Sequence, residues 1–111
     1  MNRNRLIDAF ISNVANVVLH EILEKAIDKE EIALVYEKEI KNSLEIAKKY
    51  REKINPVDRA LPEIDVDEIR EKVIRKVRVE LNLRISKGYE NIDLSLIDEI
   101  VDRVLREMKV A

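Results

Sequence analysis

The stretch LIDAFISNVANVVLHEILEKAI, residues 6–27, decides the fold class because its apolar residues recur with the period of an α-helix. Two adjacent rows at i, i+4 spacing are wholly apolar. One row consists of Leu6, Phe10, Val14, Val18, Ile22 and Ala26, and the next of Ile7, Ile11, Ala15, Leu19, Leu23 and Ile27. The opposite row is polar and consists of Asp8, Ser12, Asn16, His20, Glu24 and Asp28. Either this helix lies at the centre of a bundle, or one apolar row meets its own fold and the other meets a second chain.

The residues after this stretch predict a second helix. Asp28-Lys29-Glu30-Glu31 has the pattern of a capping box, with Asp28 as the N-cap, and an apolar stripe at helical spacing follows it. A single bent helix from Arg5 to Ile54 is the alternative, because no glycine marks a turn between the two. We favour two helices that form a hairpin over residues 5–54.

The second half of the chain begins after a linker, residues 55–63, that both prolines mark. Asp65 is placed to cap the next helix, and Ile64 and Ile69 are spaced to form a hydrophobic staple around its start. These signals predict that the third helix begins at Asp65.

A fourth helix is predicted from two further signals. The sole glycine, Gly88, can adopt the left-handed conformation that ends a helix, and Tyr89 follows it. Asp93 is then placed to cap the last helix, as Asp65 caps the third. The sequence therefore predicts a second helical hairpin over residues 65–109.

The segment from Val77 to Ile85 also fits a strand, because its apolar and polar residues alternate. A β-hairpin at about residues 77–96 would make the fold α+β. The same segment continues an apolar row at i, i+4 spacing: Ile69, Val73, Val77, Leu81 and Ile85. We therefore predict an all-α protein, a four-helix bundle built from two helical hairpins, in a single domain over residues 1–111.

The composition is rich in both charged residues, 40%, and hydrophobic residues, 46%, so the chain is expected to fold. Cys, Trp, Gln and Thr are absent, a profile typical of proteins from thermophiles. The basic N-terminus precedes an apolar stretch, as in a signal peptide, but Asp8, Ser12 and Asn13 interrupt that stretch. We expect a cytoplasmic protein with no membrane segment.

The segment His20-Glu21-Ile22-Leu23-Glu24 holds the only histidine and resembles half of a zinc-protease helix motif, H-E-x-x-H. In that motif a second histidine is a metal ligand, and here Glu24 occupies its position. A metal-dependent enzyme using His20 and carboxylates is thus a third hypothesis. We favour an ordinary polar helix face, because no other histidine or cysteine is present to complete a zinc site.

A basic run on the third helix raises the hypothesis of a nucleic-acid-associated or regulatory protein. From Arg70 to Lys87 there are seven basic and two acidic residues, whereas the last segment is acidic. The candidate nucleic-acid contacts are Arg3, Arg5, Lys72, Arg75 and Arg78. We expect helix four to neutralise much of this charge, and the net charge of −2 also makes nucleic acid an unexpected partner.

The sequence offers no glycine-rich phosphate loop and no nucleophile beside a histidine, so we expect no cofactor, no metal and no catalysis. The surplus apolar row of helix one instead predicts self-association as a homodimer. The residues expected in that interface are Phe10, Ile11, Val14, Ala15, Val18, Leu19 and Ile22. The function favoured by the sequence is therefore that of an interaction or structural module.

Overall fold

The fold is all-α, as predicted. The computed structural model describes residues 2–56 and 58–110, and in these residues it contains four α-helices and no strand. The helices are α1 (Arg3–Lys25), α2 (Glu30–Ile54), α3 (Glu63–Ser86) and α4 (Ile97–Glu107), and a short 3-10 turn (Leu94–Leu96) precedes α4. The bundle measures 40 × 23 × 23 Å along its principal axes.

The helix α1 lies at the centre of the bundle and packs against α2, α3 and α4. Its two apolar rows therefore both contact helices of the same chain. α3 and α4 also pack against each other, whereas α2 has α1 as its main neighbour. Of the two arrangements that the sequence left open, the central position of α1 is the one observed.

The break between α1 and α2 confirms two helices and excludes the single bent helix. The predicted cap is wrong, because Lys29 is the N-cap of α2 and no side chain caps it. Glu30 and Glu31 instead occupy the first turn, where carboxylates interact favourably with the helix dipole. The backbone N–H of Ala26 bonds to the carbonyl of Leu23 at 3.1 Å and tightens the end of α1.

The start of α3 lies two residues before the predicted one. Pro62, in an extended conformation, is the N-cap, and its carbonyl accepts bonds from the backbone N–H groups of Asp65 and Val66. Asp65 therefore lies in the first turn, where Arg3 pairs with its carboxylate at 2.6 Å. The predicted staple is also wrong, because Ile64 is 77% exposed.

The contested segment from Val77 to Ile85 is helical throughout. Four residues of its apolar row are fully buried: Ile69, Val73, Val77 and Leu81. This burial explains why the segment is a helix and not a strand. A helix places the residues of the i, i+4 row on one buried face, whereas a strand would place every second residue there. The alternate residues Val79 and Leu83 consequently point outward.

The predicted end of α3 is confirmed, but the predicted cap of α4 is not, because Leu96 is the N-cap of α4 and no side chain caps it. Gly88 has φ +98°, and the N–H of Tyr89 bonds to the carbonyl of Arg84 at 3.0 Å, as in a Schellman motif. The Asp93 carboxylate accepts a bond from the backbone N–H of Ser95 at 3.0 Å and caps the 3-10 turn that leads into α4.

Candidate functional surfaces

The residues predicted for self-association all lie in the core of the single chain. Phe10, Ile11, Val14, Ala15, Val18, Leu19 and Ile22 are at most 8% exposed. Because α2, α3 and α4 cover both apolar rows, α1 does not present the predicted interface at the surface. The premise that the fold could cover only one row is wrong, since three helices surround α1 and not one.

His20 is half-buried and engaged locally. Its Nδ1–H donates to the carbonyl of Asn16 at 2.7 Å, and its ring lies 5.7 Å from that of Tyr36 on α2, centroid to centroid. No ion pair joins His20 to Glu24 in the part of the chain that the structure describes. Within residues 2–56 and 58–110, no three His, Asp or Glu side chains are grouped as ligands for a metal ion.

Glu24, a second titratable residue of this segment, lies close to the Glu37 carboxylate of α2. Burial raises the pKa of Glu24, and the charge of the neighbouring Glu37 carboxylate, with which it shares a hydrogen bond, raises it further. The two carboxylates lie on facing helices, so the ionised pair repels across the α1–α2 contact. No sequence pattern predicts this pair, because Glu24 and Glu37 are brought together only by the hairpin.

The prediction that α4 neutralises the basic residues of α3 is wrong. Only one ion pair between the described residues joins these helices, from Arg70 to Asp102 at 2.7 Å. Lys72 and Arg84 pair with Glu68 and Glu80 of α3 itself, at 2.9 and 3.0 Å. Helix geometry explains the difference, since partners at i, i+4 spacing lie closer than residues of the next helix.

Three cations of α3 stay without an ion pair among the described residues: Arg75, Lys76 and Arg78. The two N-terminal candidates lie elsewhere. Arg3 is held by Asp65 at the start of α3, and Arg5 is exposed near the start of α1, where its backbone N–H donates to the Asn2 cap at 2.9 Å. The structure therefore gathers Lys72, Arg75 and Arg78 on one helix.

A groove of about 560 Å³ runs between the polar row of α1 and the basic part of α3. Ser12, Asn16 and His20 contribute to its α1 wall, and Arg75, Lys76, Val79, Glu80 and Arg84 to its α3 wall. Its walls combine hydrogen-bonding groups, cations, one carboxylate and several apolar side chains. Such a lining is suited to a charged, partly apolar partner.

The exposed side of α3 at and beside this groove forms a surface that we call the basic α3 face. It consists of Arg75, Lys76, Val79 and Leu83, all exposed. Val79 is 53% and Leu83 49% exposed, so two large aliphatic side chains lie at the surface one turn apart. The alternation of apolar residues between Val77 and Ile85 was the sequence signal for this face. A helix that buries Val77 and Leu81 has to leave Val79 and Leu83, two residues further on, at its surface.

A second exposed surface lies on the N-terminal half of α2, in which no residue from 30 to 42 is buried. We call the set Glu31, Ile32, Val35 and Glu39 the acidic α2 face. Val35 is 58% exposed, and Glu31 and Glu39 lie one turn before and after it. Neither glutamate forms an ion pair with the described residues.

By length and composition, α1 is the one helix of the described chain that is apolar enough to cross a membrane. Half of its most apolar window is buried inside the fold. A single helix of this kind near the N-terminus is weak evidence, since a core helix and a signal sequence meet the same criterion. Comparisons of the chain with family models, curated proteins and solved structures found no match, so its function is argued from these surfaces.

Proposed function

We propose that this protein is a small helical interaction or structural module that self-associates and carries out no catalysis. The observation that supports the proposal is the grouping of exposed aliphatic side chains with charged residues on α2 and α3. Single exposed apolar residues are ordinary, but apolar residues grouped on one helix face favour contact with another protein. The core does not need these side chains, because α1 is already surrounded.

The proposed interface differs from the one that the sequence suggested. The apolar rows of α1 are inside the fold, so the proposed self-association uses instead the outward faces of α2 and α3, which carry exposed aliphatic side chains. A two-fold homodimer is the simplest closed arrangement, because each contact then occurs twice. Composition is the only support for two further proposals, a thermophilic source and a cytoplasmic location.

The experiment is a mass measurement by light scattering at micromolar concentration. We expect about 26 kDa, twice the chain mass of 13.0 kDa. Dilution should shift the mass toward that of the monomer. A folded protein of 13.0 kDa at every concentration would contradict the proposal.

A nucleic-acid-associated function is the second candidate, favoured by Arg75, Lys76 and Arg78, which have no ion pair within the described residues. If the protein is an interaction module, duplex DNA at physiological salt should bind no tighter than the nonspecific range of about 10⁻⁴ to 10⁻⁶ M. Submicromolar binding that Arg75→Glu or Arg78→Glu abolishes would favour this second function instead.

A further inference from the structure

The acidic α2 face and the basic α3 face are complementary, yet they do not meet within one chain. Both helices pack against α1, and between α2 and α3 the bundle makes at most marginal contact. Each face combines exposed aliphatic side chains with an excess of one charge: Glu31 and Glu39 outnumber Lys38 on α2, and the basic residues of α3 outnumber Glu80. Two complementary faces on one chain can satisfy each other only between two copies.

We propose that the acidic α2 face of one copy docks on the basic α3 face of a second copy, along the groove between α1 and α3. This inference rests on the proposed self-association and identifies its interface. Under two-fold symmetry the contact forms twice, since the α2 of each copy meets the α3 of the other.

The residue spacing of the two faces supports this pairing. On α2, the row at i, i+4 spacing reads Glu31, Val35, Glu39, and on α3 it reads Arg75, Val79, Leu83. Rows of this spacing form ridges that pack into the grooves of a facing helix. Val35 and Ile32 can thus cover Val79 and Leu83, while the glutamates face cations.

The electrostatics determine which partner the groove accepts. Arg75 and Lys76 form the cationic rim of the groove, and Glu31 and Glu39 flank the apolar centre of the opposing face. Opposite charges at the rim of an interface fix its register and exclude like-charged alternatives. Packing of α3 against α3 of the second copy would instead place cations against cations.

The apolar side chains argue for a protein partner over nucleic acid. Phosphate contacts need cations but gain little from aliphatic side chains, and Val79 and Leu83 are each about half exposed beside the cations. Covering these two side chains removes apolar surface from water, which stabilises association. A second copy supplies apolar side chains and carboxylates of matching spacing.

Charge reversal in separate copies tests the pairing. One variant carries Glu31→Lys with Glu39→Lys, and the other carries Arg75→Glu with Lys76→Glu. All four residues are exposed, so both variants should fold, which circular dichroism checks. We expect each variant alone to be a 13.0 kDa monomer where the wild type is a dimer, with a dissociation constant raised at least about a hundredfold.

Mixing the two variants is the decisive step. In the mixed dimer each basic face meets an acidic one again, so an equimolar mixture should return to about 26 kDa, twice the chain mass of 13.0 kDa. The matched controls are Glu52→Lys on α2 and Arg106→Glu on α4, exposed reversals outside both faces that should leave the dimer intact.

The other outcomes separate the two proposals. If both variants stay dimeric, self-association stands and the α2–α3 pairing is wrong. If the variants are monomeric but their mixture does not re-form the dimer, the pairing is also wrong. A monomeric wild type overturns self-association itself, and submicromolar DNA binding by that monomer would assign the basic α3 face to nucleic acid.

Discussion

Arg51 on α2 donates from Nη2 to the carbonyl of Lys109 at 2.9 Å and so ties the second helix to the C-terminal end of the chain. Its Nη1 donates to the side-chain oxygen of Asn55 at 2.6 Å, and Nη2 also reaches the carbonyl of Arg59 at 3.2 Å. Arg51 is only 1% exposed, and burial lowers the pKa of its guanidinium. One side chain thereby joins α2, the proline-marked linker and the segment after α4.

We predict that Arg51→Met lowers stability by about 2 kcal/mol, because the carbonyls of Asn55, Arg59 and Lys109 lose their charge-assisted hydrogen bonds. The midpoint of thermal unfolding should fall by roughly 10 °C. Arg51→Lys should restore only part of this loss, since one ammonium group cannot span carbonyls on three segments. The exposed neighbour Lys48→Met is the control, and an equal fall in both variants would refute a special role for Arg51.

The carboxyl pair of Glu24 and Glu37 predicts a pH dependence of stability. Because the pKa of Glu24 in the folded chain is raised above its ordinary value of 4.5, the folded state binds the proton more tightly than the unfolded state. The resulting stabilisation is complete below pH 4.5 and is lost as the pH rises through the folded-state pKa. Repulsion between Glu24 and Glu37 then remains at neutral pH.

Glu24→Gln should therefore stabilise the protein at pH 7, by less than about 1 kcal/mol because the pair is partly solvated. At pH 4 the wild type and the variant should melt at nearly the same temperature. Glu45→Gln, on the exposed side of α2, serves as the control. A wild type that becomes more stable between pH 4 and pH 7 relative to Glu24→Gln would contradict the assigned sign.

His20 is predicted to be dispensable for folding, because it is only half-buried and its one hydrogen bond among the described residues is to the Asn16 carbonyl, one turn earlier on the same helix. Thermal melts of His20→Ala and the wild type should agree within about 2 °C, less than a 1 kcal/mol change would produce. A chelator should move neither curve. A chelator-induced drop in the wild type alone would revive the metal-site hypothesis.

A charge introduced into the centre of α1 distinguishes a core from an interface. Val18 is fully buried within its own chain, so Val18→Glu should abolish the helical circular dichroism signal or lower the midpoint by more than about 20 °C. Ser12→Glu, on the exposed polar row of the same helix, should remain folded. If Val18→Glu is instead folded and monomeric, Val18 lies in the dimer interface and not in the core of the single chain.

The presence of the helices and the end of α3 follow from local patterns in the sequence. The period of the apolar rows fixes α1 as a helix, and the positive φ required after α3 fixes Gly88, because both depend only on neighbours along the chain. The starts of α2 and α3 were predicted less well. Asp28 and Asp65 have the right chemistry for caps, but Pro62 and the pairing of Asp65 with Arg3 decide where α3 begins.

Which faces of these helices are buried depends on how the helices pack together. A row of apolar residues carries no information on whether its neighbour is another helix of the chain or a second copy, so the sequence could not tell that α1 is central. For the same reason, the contacts of Glu24 with Glu37 and of Arg51 with Lys109 cannot be predicted from the sequence. Each contact joins residues that are distant along the chain and are brought together by helix packing. Periodicity is local, whereas the choice of the buried face depends on the packing of the whole bundle, and that choice leaves Val35 and Val79 at the surface.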